Sequence, residues 1–486
     1  MSSRTNRVTI LAVSKLLNFA VQFLTPVFLV RIIDRELYGQ YKEFFVYASL
    51  IGTFIAFSIK YNLLYFVSKN PSGTKYYVSN TLYMEFIACL IGIIIIYVFK
   101  SNIIGATSFN FFFLLVAYLI ITKNFDFLEA FWLSQKKSSY VFFYSFVYAA
   151  LRVVSVIITA YLTRNVISIL YIVILFEFLR LLFSVAFSIY KKLLVLKMNY
   201  EFLKEQLVYI VPLGLAGLLV DFNVDISKIV ISTNLGPAAL ALYAIGSQRI
   251  PLIGVIQSSI ADVIFPDMAE KVKDEPIKSL DLWKRANILY LFLLVPLFYL
   301  QLYYAELIIK VLFTKDYLGA VPLFQIYLGF FLLQCFEMGI PIRVKNKNGH
   351  LLVGHILYTI VHIGLLYLLY YFVGFLGPAI AFVFMEVIFT FYFGFIILRI
   401  YNISLKELLY WRKISIIIAV GLICLPVLFV GSLLNLNNIV AAILFGTIYI
   451  ILYLIIISLF HFDETDMFLS KISKRLRLEQ RWKRSA

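Results

Sequence analysis

Cysteine is nearly absent from this 486-residue chain, and Cys89, Cys335 and Cys424 each stand alone in an apolar run. That excludes a disulfide framework, and no CxxC or Cys–His spacing offers a structural zinc site. Small buried hydrophobes are the simpler reading of all three. Histidine is almost as scarce, with His350, His355, His362 and His461. His355 and His362 are seven apart on one helix face, where interhelical hydrogen bonds are a more economical reading than a proton relay. No GxxxxGK[ST] occurs, so ATP is not expected as the direct driver. Charged residues make up only 14% of the chain, against about 25% in ordinary soluble domains. No loop is long enough to house an enzyme's substrates or a nucleic-acid-binding domain, despite the net charge of +17. An enzyme is not expected, nor is nucleic acid as a partner.

What fills the chain instead is apolar: 62% of residues are hydrophobic, in runs of about 20 that suit a bilayer crossing. The expected fold is an all-α polytopic integral membrane protein of about 14 transmembrane helices. The expected spans are 8–33, 41–67, 78–99, 107–134, 140–163, 166–190, 207–234, 240–265, 286–309, 320–342, 350–373, 375–398, 412–431 and 438–460. Met1–Arg7 is short and basic and the apolar stretch after it runs to Ile33, which reads as a first transmembrane helix rather than a cleaved leader. Lysine and arginine outside the spans fall roughly four to one on the N-terminal side, which predicts cytoplasmic N- and C-termini. The segment 191–206 (KKLLVLKMNYEFLKEQ) reads as an amphipathic helix on the inner surface. The basic tail 463–486 suits a helix on anionic phospholipids or a disordered segment.

An internal repeat is visible. Ile33 and Tyr41 follow span one, and Leu235 and Tyr243 follow span seven at the same spacing, 202 residues later. The chain thus reads as an N-terminal six-helix lobe (1–198), a second six-helix lobe beginning with the amphipathic linker (199–402), and two further helices with the tail (403–486). Six spans per lobe is an even number, so the repeats are parallel.

The stretch Leu37-Tyr38-Gly39-Gln40-Tyr41, repeated as Leu235-Gly236-Pro237 through Tyr243, resembles a motif of the oligosaccharide and polysaccharide flippases. These are the Wzx-type polysaccharide biosynthesis proteins of the multidrug/oligosaccharidyl-lipid/polysaccharide flippase superfamily. The first copy departs from the family pattern with Ile33-Asp34 in place of Leu-Gly, and the second with Leu240-Ala241 in place of Tyr-Gly. The resemblance implies a carrier in a bacterial plasma membrane that moves a polyprenyl-diphosphate-linked oligosaccharide from the inner to the outer leaflet. It works by alternating access, with other polysaccharide assembly proteins as possible partners. It implies no cofactor beyond a coupling Na+ or H+.

Such a cargo needs basic groups for its phosphates in a wet cavity. Seven bases lie within spans: Lys15, Lys60, Lys123, Arg152, Arg180, Lys228 and Arg249. The expected substrate-binding set is Arg152, Arg180, Lys123, Lys15 and Arg249, with Asn18 and Gln22 beside Lys15. Arg152 leads because it has no acid at i±3 or i±4. The expected set for ion coupling or charge balance is Asp221, Asp225, Asp126, Lys228 and Glu177. The i, i+3 pairs Glu177–Arg180, Lys123–Asp126 and Asp225–Lys228 are equally readable as structural ion pairs. The chain's many aromatics read as lipid-facing bulk rather than a sugar platform. Two rival functions remain open: a cation-coupled multidrug exporter of the same superfamily, and a non-transport component of glycan assembly.

Overall fold

The computed structural model describes residues 17, 20–21, 23–56, 59–98, 109–124, 126–135, 137–195, 199–248, 264–265, 267–433 and 438–466. Among them there is no strand. An apolar segment in lipid must satisfy its backbone within itself, and a helix does so residue by residue. The protein is therefore an all-α, multi-pass membrane protein, as its composition required. Among the described residues nine helical stretches are long and apolar enough to cross a bilayer, or ten when a bent pair counts as one span.

Two compact units emerge. One holds the described residues of Met1–Pro251 and His355–Phe382, the other those of Leu252–Gly354 and Val383–Ala486. In chain order the helices are α1 (Phe23–Ile32), α2 (Arg35–Ala56), α3 (Ile59–Lys69), α4 (Thr74–Val98) and α5 (Phe109–Lys123). Next come α6 (Leu128–Ser134), α7 (Ser138–Thr163), α8 (Val166–Tyr190), α9 (Tyr200–Leu235) and α10 (Pro237–Gly246). The second unit opens with α11 (Pro276–Tyr303), α12 (Ala305–Phe313), α13 (Val321–Leu333) and α14 (Gly339–Val344). Then α15 (Asn348–Val373) and α16 (Gly377–Tyr401) contribute residues to both units. Helices α17 (Leu405–Leu408), α18 (Trp411–Ile423), α19 (Pro426–Leu433) and α20 (Asn438–Ser458) complete the order. The expected span 166–190 is α8 to the residue. Much of the expected span 8–33, most of the expected span 240–265, and the tail beyond Asp466 lie outside the described residues.

Local sequence explains the ends. Asn165 caps α8 by accepting from the Ile167 amide at 2.8 Å, and Asn199 caps α9 by accepting from the Phe202 amide at 3.2 Å. Both supply an oxygen to one of the first-turn amides that have no helical partner. Because Asn199 starts a helix, the linker 191–206 is not one surface helix. Residues 191–195 are non-helical, and Tyr200–Gln206 are the first two turns of α9. That helix bends by 40° between Val211 and Gly214, where Pro212 can donate no amide hydrogen.

In the first unit, α3 and α4 form an antiparallel hairpin whose core stacks Phe66 on Tyr77 with ring centroids 5.2 Å apart. His362 on α15 lies within 3.0 Å of Asn223 Oδ1 on α9, and the Asn223 amide donates to Thr359 Oγ1 at 2.7 Å. That is the interhelical hydrogen bonding expected of this histidine. Cys89, Cys335 and Cys424 are buried thiols without a disulfide.

In the second unit the first turns of α11 are tied to the segment before α18. Asp281 accepts from Arg285 Nε at 2.8 Å and from the Tyr410 hydroxyl. Lys284 and Lys413 lie 5.3 and 4.9 Å from the Tyr410 ring centroid, and Lys413 pairs with Glu464 at 2.7 Å. Burial, and then the bond to the Asp281 carboxylate, pushes the Tyr410 hydroxyl up to about 12, so it stays a donor at working pH. Tyr410→Phe removes a charge-assisted donor and is expected to cost about 1–2 kcal/mol. Thermal unfolding in detergent, compared with the parent, measures it.

Candidate functional site

One helix shows how the site is built. Along α7, Phe143, Val147, Leu151, Val154 and Ile158 are all exposed apolar side chains. Their spacing of three and four makes one continuous stripe, which suits lipid. Ser145, Tyr148, Arg152 and Val156 repeat at the same period on another face, so the stripe turns these groups inward. Helix α8 behaves alike. Tyr171, Leu175, Phe178 and Leu182 are exposed, while Val173, Glu177 and Ser184 are buried. Glu177 is only 3% exposed.

The inward faces meet around a cavity of about 510 Å³. Thr25 and Pro26 of α1, Tyr41, Lys42 and Phe45 of α2 and Tyr118 of α5 line it, with Glu129 of α6. Helix α7 adds Ser145, Tyr148, Ala149, Arg152, Val153 and Val156, and α8 adds Arg180. All belong to the first unit.

A chain of charges runs along one wall. Arg152 Nη1 meets Glu177 Oε1 at 3.2 Å, and Arg180 Nη1 meets Glu177 Oε2 at 3.5 Å. The Tyr148 hydroxyl donates to Glu177 Oε1 at 2.5 Å. Arg180 continues the chain through Nη2 to Asp126 and through Nε to the Tyr144 hydroxyl at 3.2 Å. Its guanidinium lies 5.5 Å from the centroid of the Tyr148 ring. Two arginines are thus held apart and aimed by one carboxylate between them. Ser145 donates to Glu129 Oε1 at 2.7 Å on the α6 side. Lys42 is different: among the described residues it has no carboxylate within ion-pair distance, and its ammonium lies 5.5 Å from the centroid of the Tyr38 ring. The arrangement offers fixed guanidinium donors, an ammonium, phenol hydroxyls and a carboxylate to one polar guest.

The residues expected from sequence divide into three groups. Arg152 and Arg180 line the cavity, and Glu177 and Asp126 brace them. Arg152 is paired after all, because its partner comes from the neighbouring helix, where spacing within α7 cannot reveal it. Lys123, Asp221, Asp225 and Lys228 are not on the cavity wall. Lys123 lies across Gly52 of α2, and Thr53 donates to Asp221 at 3.2 Å. Asp225 and Lys228 form their i, i+3 pair at 2.7 Å. Lys15, Asn18, Gln22 and Arg249 lie outside the described residues. Lys42 and the cavity tyrosines Tyr41, Tyr118 and Tyr148 were not anticipated. Lys42 follows Tyr41 of the repeated motif, and that adjacency was its signal. The tyrosines were hidden by the abundance of their kind.

The polysaccharide biosynthesis protein family matches residues 28–322. No curated protein matches the sequence significantly. Among solved structures, the lipid II flippase MurJ in an inward closed conformation is similar at TM-score 0.68 and 15% identity, covering 92% of this chain and 98% of that one. A Vibrio cholerae MATE transporter is similar at TM-score 0.55 and 12% identity, over 84% and 100%. A eukaryotic MATE transporter gives TM-score 0.58 and 10% identity, over 86% and 98%. At these identities the likeness is one of fold.

Proposed function

The chain belongs to the polysaccharide biosynthesis protein family, and from that premise we propose that it carries a polyprenyl-diphosphate-linked oligosaccharide from the inner to the outer leaflet. This agrees with the resemblance of Leu37–Tyr41 and Leu235–Tyr243 to flippase motifs, and with a fold like that of a lipid II flippase. The carrier works by alternating access in a bacterial plasma membrane, with both termini cytoplasmic and anionic phospholipids around its inner surface.

The observation that carries the reading is the cavity with Lys42, Arg152 and Arg180 on its wall. A diphosphate presents several anionic oxygens to which arginine forks and a lysine bind in complementary ways. At about 510 Å³ the cavity suits the diphosphate and the first sugar, with the prenyl tail left in lipid. Tyr41, Tyr118 and Tyr148 supply faces and hydroxyls for the sugar. Glu177 keeps the two arginines apart when no cargo is present, and the phosphates compete with it for their donors.

The test is where lipid-linked glycan accumulates in a deletion strain and in strains carrying Arg152→Ala or Lys42→Ala. Inner-leaflet build-up with loss of surface glycan in all three supports the reading. Loss in the deletion alone keeps the function and discards the phosphate role of these two bases. Normal glycan with retained cationic dyes would favour a multidrug exporter.

A further inference from the structure

The same helix that walls the cavity has a second polar face. Four residues along α2 from Gly39 stands Glu43, 8% exposed, and its Oε1 accepts from Ser232 Oγ of α9 at 2.6 Å. Ser232 is itself 6% exposed. A turn away, a Cβ on Gly39 would lie 1.9 Å from the Pro237 carbonyl oxygen at the start of α10. Glycine is what lets the two backbones touch. The two copies of the repeated segment therefore pack directly on each other, with Glu43 sealed beneath the contact.

Glu43 is unlike the other buried carboxyls described above. Glu177 meets two arginines and Asp225 meets Lys228. Among the described residues Glu43 has a hydroxyl and no cation within ion-pair distance. The other titratable groups that act on it are Glu36 and Tyr47 on α2, and Lys42, next to it in sequence, lines the cavity instead. The Asp225–Lys228 pair lies one to two turns back along α9, and α4 meets α2 further on, at Ile51 and Ile55. A carboxylate sealed there would be a charge without a counter-charge, which such surroundings strongly disfavour.

We propose that Glu43 is a proton-binding site for transport coupling. Resting on the carrier reading, the inference is that Glu43 holds its proton while α2 lies on α9 and α10. It passes that proton to outer water when the contact parts. The charge bias puts this end of α2 on the outer side. The closed form binds one more proton than the open form, so raising the outer pH favours opening and lowering it favours closure.

Leu240, fully buried on α10, provides the reporter. Full-length Leu240→Cys protein in right-side-out vesicles is labelled with a membrane-impermeant maleimide at several outer pH values, with and without Glu43→Gln. A thiol's own reactivity rises with pH, so the readout is the ratio of the two labelling rates. The ratio is expected to rise by up to roughly tenfold per pH unit, the limit for one linked proton. Glu43→Asp retains a titrating group and is expected to keep the rise. A ratio that stays flat with pH overturns the proposal. No cargo is needed, so a normal surface glycan in the deletion strain would remove the carrier reading while leaving this result to stand or fall separately.

Discussion

Glu177→Leu is expected to destabilise the first unit by about 3–5 kcal/mol, the usual cost of stripping one partner from a buried ion pair. The reason is geometric. Glu177 is 3% exposed, lies in ion-pair contact with both Arg152 and Arg180, and accepts a hydrogen bond from the Tyr148 hydroxyl. Leucine fills similar space but leaves two guanidinium groups facing each other across it. Arg180 keeps Asp126 and Tyr144, whereas Arg152 loses its carboxylate. Adding Arg152→Met to Glu177→Leu should therefore recover stability, because the charge left without a partner is removed as well. Thermal unfolding of the two single variants and the double variant gives the coupling energy directly. If the double variant is as unstable as the sum of the singles, Arg152 and Glu177 are not a coupled pair. Glu177→Gln is the milder change. It frees the arginines for an anionic headgroup and should strengthen binding of a polyprenyl diphosphate while slowing its release.

Gly39→Val is expected to destabilise the same unit for a steric reason. Any Cβ there falls 1.9 Å from the Pro237 oxygen and 2.3 Å from its carbonyl carbon. Both obstacles are backbone, so no side-chain rotation relieves them. Helix α2 must move off α10, and overpacking of this kind costs about 1–3 kcal/mol or more. Gly236, the other glycine of the repeated segments, is required for a different reason. Its φ is +80° with ψ 178°, a backbone region nearly closed to L side chains, yet nothing lies within 4 Å of a Cβ built there. Gly236→Ala should cost about 1–3 kcal/mol from backbone strain alone, with the helix contact intact. Unfolding temperatures together with the labelling of Leu240→Cys separate the two: Gly39→Val lowers the first and raises the second, and Gly236→Ala only lowers the first.

Which parts of this protein were legible in the sequence follows from the range over which each force acts. Membrane residence, the all-helical fold and most helix bounds are set by local hydropathy and by the need to satisfy the backbone in lipid. The chain therefore carried them openly, and α8 fell where its apolar run said. The i, i+3 pair Asp225–Lys228 was readable because helical spacing is itself local. The Leu37–Tyr41 and Leu235–Tyr243 copies were visible as a repeat, and so pointed to the family. The partner of Arg152 was not visible, since Glu177 reaches it from another helix and nothing in the spacing along α7 records that approach. The same holds for Lys42, whose place on the cavity wall depends on how α2 is turned against α5 and α7. The role of Gly39 was likewise hidden until Pro237 stood against it. Sequence determined which segments enter the membrane and which residues share a face of each. Packing decided which faces meet, because contacts between helices are set by shape and charge across distances the local pattern does not encode.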